Sequence, residues 1–98
     1  MSVELLVSYD VATDTATGRK RLRRVAKICE GFGQRVQKSV FECALTDAQL
    51  LKLVAAVRKV INLEEDSLRI YRLAEPLEKY LTVIGRSLLH DQRDTLIV

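Results

Sequence analysis

The first apolar run of the chain, VELLVSYD over residues 3–10, ends on Tyr9 and Asp10, and the segment after it is crowded with arginine. A carboxylate at a strand end can coordinate a hard cation such as Mg²⁺, which binds oxygen and usually retains several waters. Such a cation polarises a phosphoryl oxygen and lowers the pKa of an attacking water. One aspartate per chain is too few ligands for a secure site, but a two-fold dimer can set two copies of Asp10 across its axis. The alternative is a strand-end aspartate that caps the following turn through its own backbone.

The second constellation is basic. Between positions 19 and 38 there are eight Lys or Arg and one acid, Glu30. At about 100° per residue, Lys20, Arg23, Arg24 and Lys27 share one face of a helix whose other face is apolar. Arg19 precedes that face, and Arg35 and Lys38 extend the positive run into the next strand. Such residues can track a phosphate backbone without reading sequence. A solvated helix face is the competing reading, although such a face normally mixes signs. Glu42 and Asp66 are further acids near strand ends, each able to join a metal site or to be satisfied within the fold. His90 stands alone in a polar stretch, with no nucleophile at a telling spacing. The glycines of GFG lack a dinucleotide-binding pattern, and no phosphate loop, zinc motif or nucleophile elbow appears.

The elements that must position these residues follow from periodicity. VELLV with Tyr9 predicts a strand covered on both faces, because its apolar run is nearly continuous. Thr15 or Thr17 caps a helix over about 18–32, and Gly31 or Gly33 supplies a left-handed residue at its end. QRVQKSVFECAL predicts two strands, or one broken near Lys38 and Ser39. Thr46 starts a second helix, with Gln49 completing a capping box. Leu50, Leu51, Leu53, Val54, Val57, Val60 and Ile61 form that helix's core face. NLEED is a polar turn and SLRIYRLA an alternating strand. After Pro76 comes a short helical or irregular piece, and DTLIV, residues 94–98, closes on a fifth strand for a sheet edge. The order strand, helix, strand, strand, helix, strand predicts an α+β, ferredoxin-like βαββαβ domain with an additional C-terminal strand. Its sheet is antiparallel, with both helices on one face.

The totals bound the rest. Ninety-eight residues suit a single domain spanning 1–98 and favour extra burial through oligomerisation. Apolar residues at 48% and charged residues at 30% are ordinary for a globular protein, with no stretch long enough to span a membrane. No export signal is visible, so a cytoplasmic place is expected. Cys29 and Cys43 sit among apolar neighbours and read as reduced core thiols.

Together these stretches resemble a family. LLVSYDVAT, followed by GRKRLRRVAKICEGFGQRVQKSVFEC, is similar to the small CRISPR-associated spacer-acquisition nucleases, the second of the two universal Cas proteins (Cas-two). DSLRIYRL matches the family's fourth-strand segment and TLIV its terminal strand, so the likeness covers nearly the whole chain. GRKRLRRVAKICE looks most like members that accompany type I-C systems. The resemblance implies a homodimer of ferredoxin-like subunits in which the terminal strand completes the partner's sheet. It implies an endonuclease dependent on Mg²⁺, or Mn²⁺, that cleaves single-stranded RNA, double-stranded DNA or both, with Asp10 as the catalytic metal residue. It also implies a dimer that bridges copies of the Cas-one integrase and holds spacer DNA on basic surfaces. Tyr9 and Asp10 match the family's YD position. Ser39, Phe41 and Glu42 match its SVFE position, with Ser39 a backbone or substrate contact near the dimer axis. Tyr9 and Ser39 thus join Arg19, Lys20, Arg23, Arg24, Lys27, Arg35 and Lys38 as nucleic-acid contacts, the basic residues matching only as a class. An mRNA-cleaving toxin of the virulence-associated D type, which is similar in fold, is a further alternative.

Overall fold

Alternation decides how β1 (Val3–Asp10) sits. Leu5, Val7 and Tyr9 are buried, Glu4, Leu6 and Ser8 are partly open, and Asp10 is exposed. The near-continuous apolar run predicts cover on both faces, whereas the described chain closes one fully and the other only in part. Its helices pack on a single side, and successive side chains of a strand point to opposite sides. The computed structural model describes residues 1–86, so the expected strand over 94–98 lies outside the described residues.

β1 runs between β3 (Val40–Leu45) and β4 (Ser67–Arg72), and β2 (Gln34–Gln37) flanks β3. The order β2-β3-β1-β4, antiparallel at every pairing, is the ferredoxin-like arrangement the element order predicts. α1 (Ala16–Glu30) and α2 (Asp47–Arg58) send Val25, Cys29, Leu53 and Val57 onto Leu5, Val7, Tyr9, Phe41, Cys43 and Leu45, forming one core. Both thiols are free and buried, and burial pushes each up to about 11. A four-residue helix, α3 (Leu77–Tyr80), follows Pro76. Among the described residues no helix is long and apolar enough to cross a membrane.

Local chemistry sets the helix starts. Thr15, rather than Thr17, caps α1, its Oγ1 accepting from the Gly18 amide at 3.0 Å. At α2 the capping box closes both ways, with Gln49 N–H donating to Thr46 Oγ1 at 3.2 Å and Thr46 N–H to Gln49 Oε1 at 2.8 Å. Two expectations change. Leu51 is 72% exposed, because Leu50, Leu53, Val54 and Val57 already define the inward stripe and Leu51 lies about 100° away from it. Gly31 and Gly33 are not left-handed, since α1 tightens at its end instead, with Gly31 N–H on the Ile28 carbonyl and Phe32 N–H on that of Cys29. Gly33 serves close approach: a Cβ there would collide with Cys43 Sγ and the Glu42 carbonyl.

The loops at the Asp10 edge are tied by one carboxylate. Asp66, between α2 and β4, is fully enclosed and receives the Arg21 fork at 2.8 and 3.3 Å. It also accepts the Ala12 amide at 3.0 Å and the Asn62 amide at 2.9 Å. The exit of β1, the first turns of α1 and the approach to β4 therefore meet on one group. Asp66 belongs to this structural network, so it is unavailable to the metal site it was weighed for. The Arg21 guanidinium, helped by the Asn62 and Ala12 amides and opposed by burial, holds its carboxyl below the usual range.

Replacing Asp66 with Ala should lower Tm by roughly 10 °C, since unmade hydrogen bonds here cost about 2 kcal/mol. The depressed pKa sets the sign. Asp66 contributes fully above the ordinary carboxylate value near pH 4 and less as pH falls through the lower folded value. Denaturant titrations of both proteins at pH 7 and towards pH 2 should show the stability gap closing at acid pH.

Candidate functional site

A pillar of side chains fixes the end of β1 from below. The Tyr9 ring, 5% exposed, stacks on Phe41 with centroids 6.1 Å apart. The Arg35 guanidinium lies 5.2 Å from the Phe41 centroid and pairs with Glu30 at 3.6 Å. The Tyr9 hydroxyl donates to the Lys38 carbonyl at 3.4 Å, and the Tyr9 amide donates to that of Ser39 at 3.1 Å. Burial raises the phenol pKa, with Arg35 opposing. The turn between β2 and β3 is thereby fastened to the strand end.

Asp10 is the next residue and points the other way. Opposite Ser67 in register, it shares a face with Ser8, Arg69 and Tyr71, away from the helices. Among the described residues no partner engages its carboxylate. A capping aspartate would draw on the amide two residues ahead. That amide belongs to Ala12, and it is donated to Asp66 instead.

The sequence-predicted residues divide into separate groups. Lys38 and Ser39 lie on the β2–β3 turn, whose carbonyls are held by Tyr9 immediately before Asp10. Lys20, Arg23, Arg24 and Lys27 are exposed along α1, on the helix side, so the sheet separates this stripe from Asp10. The end of β1 and the start of α1 lie at the same end of the sheet, but the stripe along α1 is on the other side of the sheet from Asp10. Arg19 stays at the β1–α1 loop, its Nη1 donating to the Thr13 carbonyl at 3.2 Å. Arg35 is part of the pillar, and Tyr9 supports the strand end from the core instead of presenting a surface. Two residues escaped the sequence reading. Arg21 turns inward to Asp66, for which no local pattern gives a signal. Arg69 stands on the Asp10 face, which the alternation of SLRIYR could have revealed once β4 was paired with β1.

Among the described residues, one chain brings one exposed carboxylate, that of Asp10, to this end of β1. Among the described residues no group of three or more His, Cys, Asp or Glu could hold an ion. Glu42 pairs in register with Leu6, four residues back along β1, which is about 13 Å from Asp10. An open aspartate still fits Mg²⁺, which keeps most of its waters and uses one or two carboxylates. A second copy of the chain can provide the second.

Residues 2–81 match the family model described as CRISPR associated protein Cas2. The chain is 52% identical over 87 residues to the CRISPR-associated endoribonuclease Cas2 1 of Moorella thermoacetica, covering 89% of this chain and 91% of the relative. The crystal structure of Streptococcus pyogenes Cas2 at pH 6.5 superposes with a TM-score of 0.76 at 44% identity, covering 84% of this chain and 99% of that one. A chain in a partial Cas6–RT–Cas1–Cas2 complex gives 0.59 at 29% identity, covering 83% and 88%.

The pillar makes a graded prediction. Tyr9→Phe keeps the stack and should cost about 1 kcal/mol, whereas Tyr9→Ala opens a core cavity and should cost about 3–5 kcal/mol. Equilibrium denaturation of the two variants beside wild type measures both.

Proposed function

The chain belongs to the CRISPR-associated Cas2 family, and from that premise we propose that it is a Mg²⁺-dependent endonuclease, acting as a homodimer on RNA or double-stranded DNA, with Asp10 as its metal-holding catalytic residue. One observation carries the assignment of Asp10: the amide that would make it a turn cap is taken by Asp66, which leaves the Asp10 carboxylate facing outward from a stiffened strand end. When bound, Mg²⁺ or Mn²⁺ would polarise the phosphoryl oxygen and lower the pKa of the attacking water. Asp10 would hold it, and Asp10 of a second copy would complete the pair of carboxylates. Lys38 and Ser39, on the turn fastened to β1, would orient the backbone phosphate. The half-buried apolar residues Leu6 and Val40 on the open face support pairing of two copies there. The name of the Moorella relative favours RNA as a substrate, and the family assignment favours this reading over a toxin.

A second reading has its own support. The stripe Lys20, Arg23, Arg24 and Lys27 lies across the sheet from Asp10, where it could hold duplex DNA without taking part in cleavage. The likeness to a chain in a Cas1–Cas2 assembly supports a scaffold role with the Cas-one integrase. The run over residues 18–30 supports a place in type I-C systems through its resemblance alone.

Cleavage of labelled RNA and duplex DNA should require Mg²⁺, stop in EDTA, and fall on the order of 100-fold or more in Asp10→Ala. Metal-dependent cleavage retained by that variant would contradict the assignment. Reversing Arg23 and Lys27 to Glu should weaken duplex binding and flatten its salt dependence while RNA cleavage persists. Filter binding across a salt series, run beside the cleavage assay, separates the two faces.

A further inference from the structure

The open face of the sheet carries a cation that the metal reading leaves unused. Arg69 pairs in register with Ser8 and so projects on the same face as Asp10. The diagonal offset in an antiparallel pair sets their Cα atoms roughly 7 Å apart. That distance is too long for a backbone contact and short enough for a long side chain to share a ligand with the carboxylate. Arg69 is exposed, and its Nη1 donates to Tyr71 Oη at 3.3 Å, two residues further along the same face. The guanidinium presents five N–H donors in a rigid fork, of which Tyr71 receives one.

Its neighbours make the position specific. Arg72 pairs with Leu5, projects on the other side of β4 and meets Glu75 at 3.8 Å. The cations of α1 are beyond the sheet. Arg69 flanks Asp10 from β4, and Lys38 stands on the turn that Tyr9 fastens next to Asp10. An exposed carboxylate with an exposed guanidinium diagonal to it on the same face matches a path in which a polyanion is drawn over the metal-holding group. The fork suits phosphate better than a point charge does, because two parallel N–H donors fix its orientation.

We propose that Arg69 is a phosphate-binding residue of the Asp10 site, clamping a backbone phosphate of the nucleic acid at or next to the bond to be cut. This rests on the nuclease reading for its catalytic part, while its binding part stands independently. The guanidinium forms charge-assisted hydrogen bonds to the non-bridging oxygens and holds the strand in register with Asp10. It exchanges no proton.

The test compares wild type, Arg69→Gln, Arg69→Lys and Arg72→Gln in two assays. One is binding of a labelled single-stranded RNA in EDTA across a salt series, and the other is its cleavage with Mg²⁺. Arg69→Gln should bind about tenfold more weakly, with the salt slope reduced by about one. Its kcat should fall about 100-fold. Arg69→Lys should recover most of the binding and little of kcat, and Arg72→Gln should match wild type in both. Thermal midpoints and solution masses of all four should agree. If wild type binds but does not cleave, the nuclease reading fails and the binding arm alone decides Arg69. The proposal is overturned by any of four results: Arg69→Gln behaving as wild type, Arg72→Gln losing as much as Arg69→Gln, a drop in solution mass that assigns Arg69 to a subunit contact, or no RNA binding by wild type.

Discussion

Side chains alternate across a strand, so placing Tyr9 under the helices commits Asp10 to the opposite face. Most of the molecule's functional geometry descends from that one step. Tyr9 reaches Phe41 and the Lys38 carbonyl, which stiffens the strand end and fastens the β2–β3 turn beside it. The same step brings Ser8, Ser67, Arg69 and Tyr71 to the Asp10 side, and it leaves the cations of α1 on the other. Two charged regions result, one on each side of the sheet.

Asp66 makes that arrangement durable. Its enclosed carboxylate gathers donors from the β1 exit, from α1 and from the turn before β4, segments that lie far apart along the chain. A buried carboxylate is tolerable only with such partners, and removing one would strand the others. The bidentate fork of Arg21 also explains why one arginine of a dense basic run contributes nothing to the surface stripe. Among the described residues nothing engages the Asp10 carboxylate, and Asp66 has taken the role of turn cap.

Sequence patterns were enough to read the local chemistry. Thr46 with Gln49 announces a helix start through a reciprocal bond three residues apart, and the spacing of Val25 and Cys29 announces a buried helix face. Both thiols and the order of elements follow from the same short-range logic, and the resemblance carried the family. What escaped depends on pairings far apart in sequence. Arg21 and Asp66 are joined across 45 positions, and nothing near either one marks the other. The separation of Asp10 from the α1 stripe emerges only when the sheet is assembled with both helices on one side. Leu51 misled because any leucine within an apolar helix resembles core, and 100° of rotation decides otherwise. Gly33 of GFG is needed for close packing against β3, a demand that composition does not distinguish from a left-handed cap.

The proposed function assigns two roles to two faces, which would reconcile a single-carboxylate metal site with a strongly basic helix. The open face would carry the metal and the bond to be cut, while the helix face would hold duplex without chemistry. Locating the metal decides between this division and a site shared by both faces. The most direct measurement is paramagnetic broadening of backbone amide signals by substoichiometric Mn²⁺. Broadening should centre on residues 8–12 and 67–69, spare Arg23 to Lys27, and vanish in Asp10→Ala. Broadening centred on α1, or unchanged by that substitution, would contradict the division.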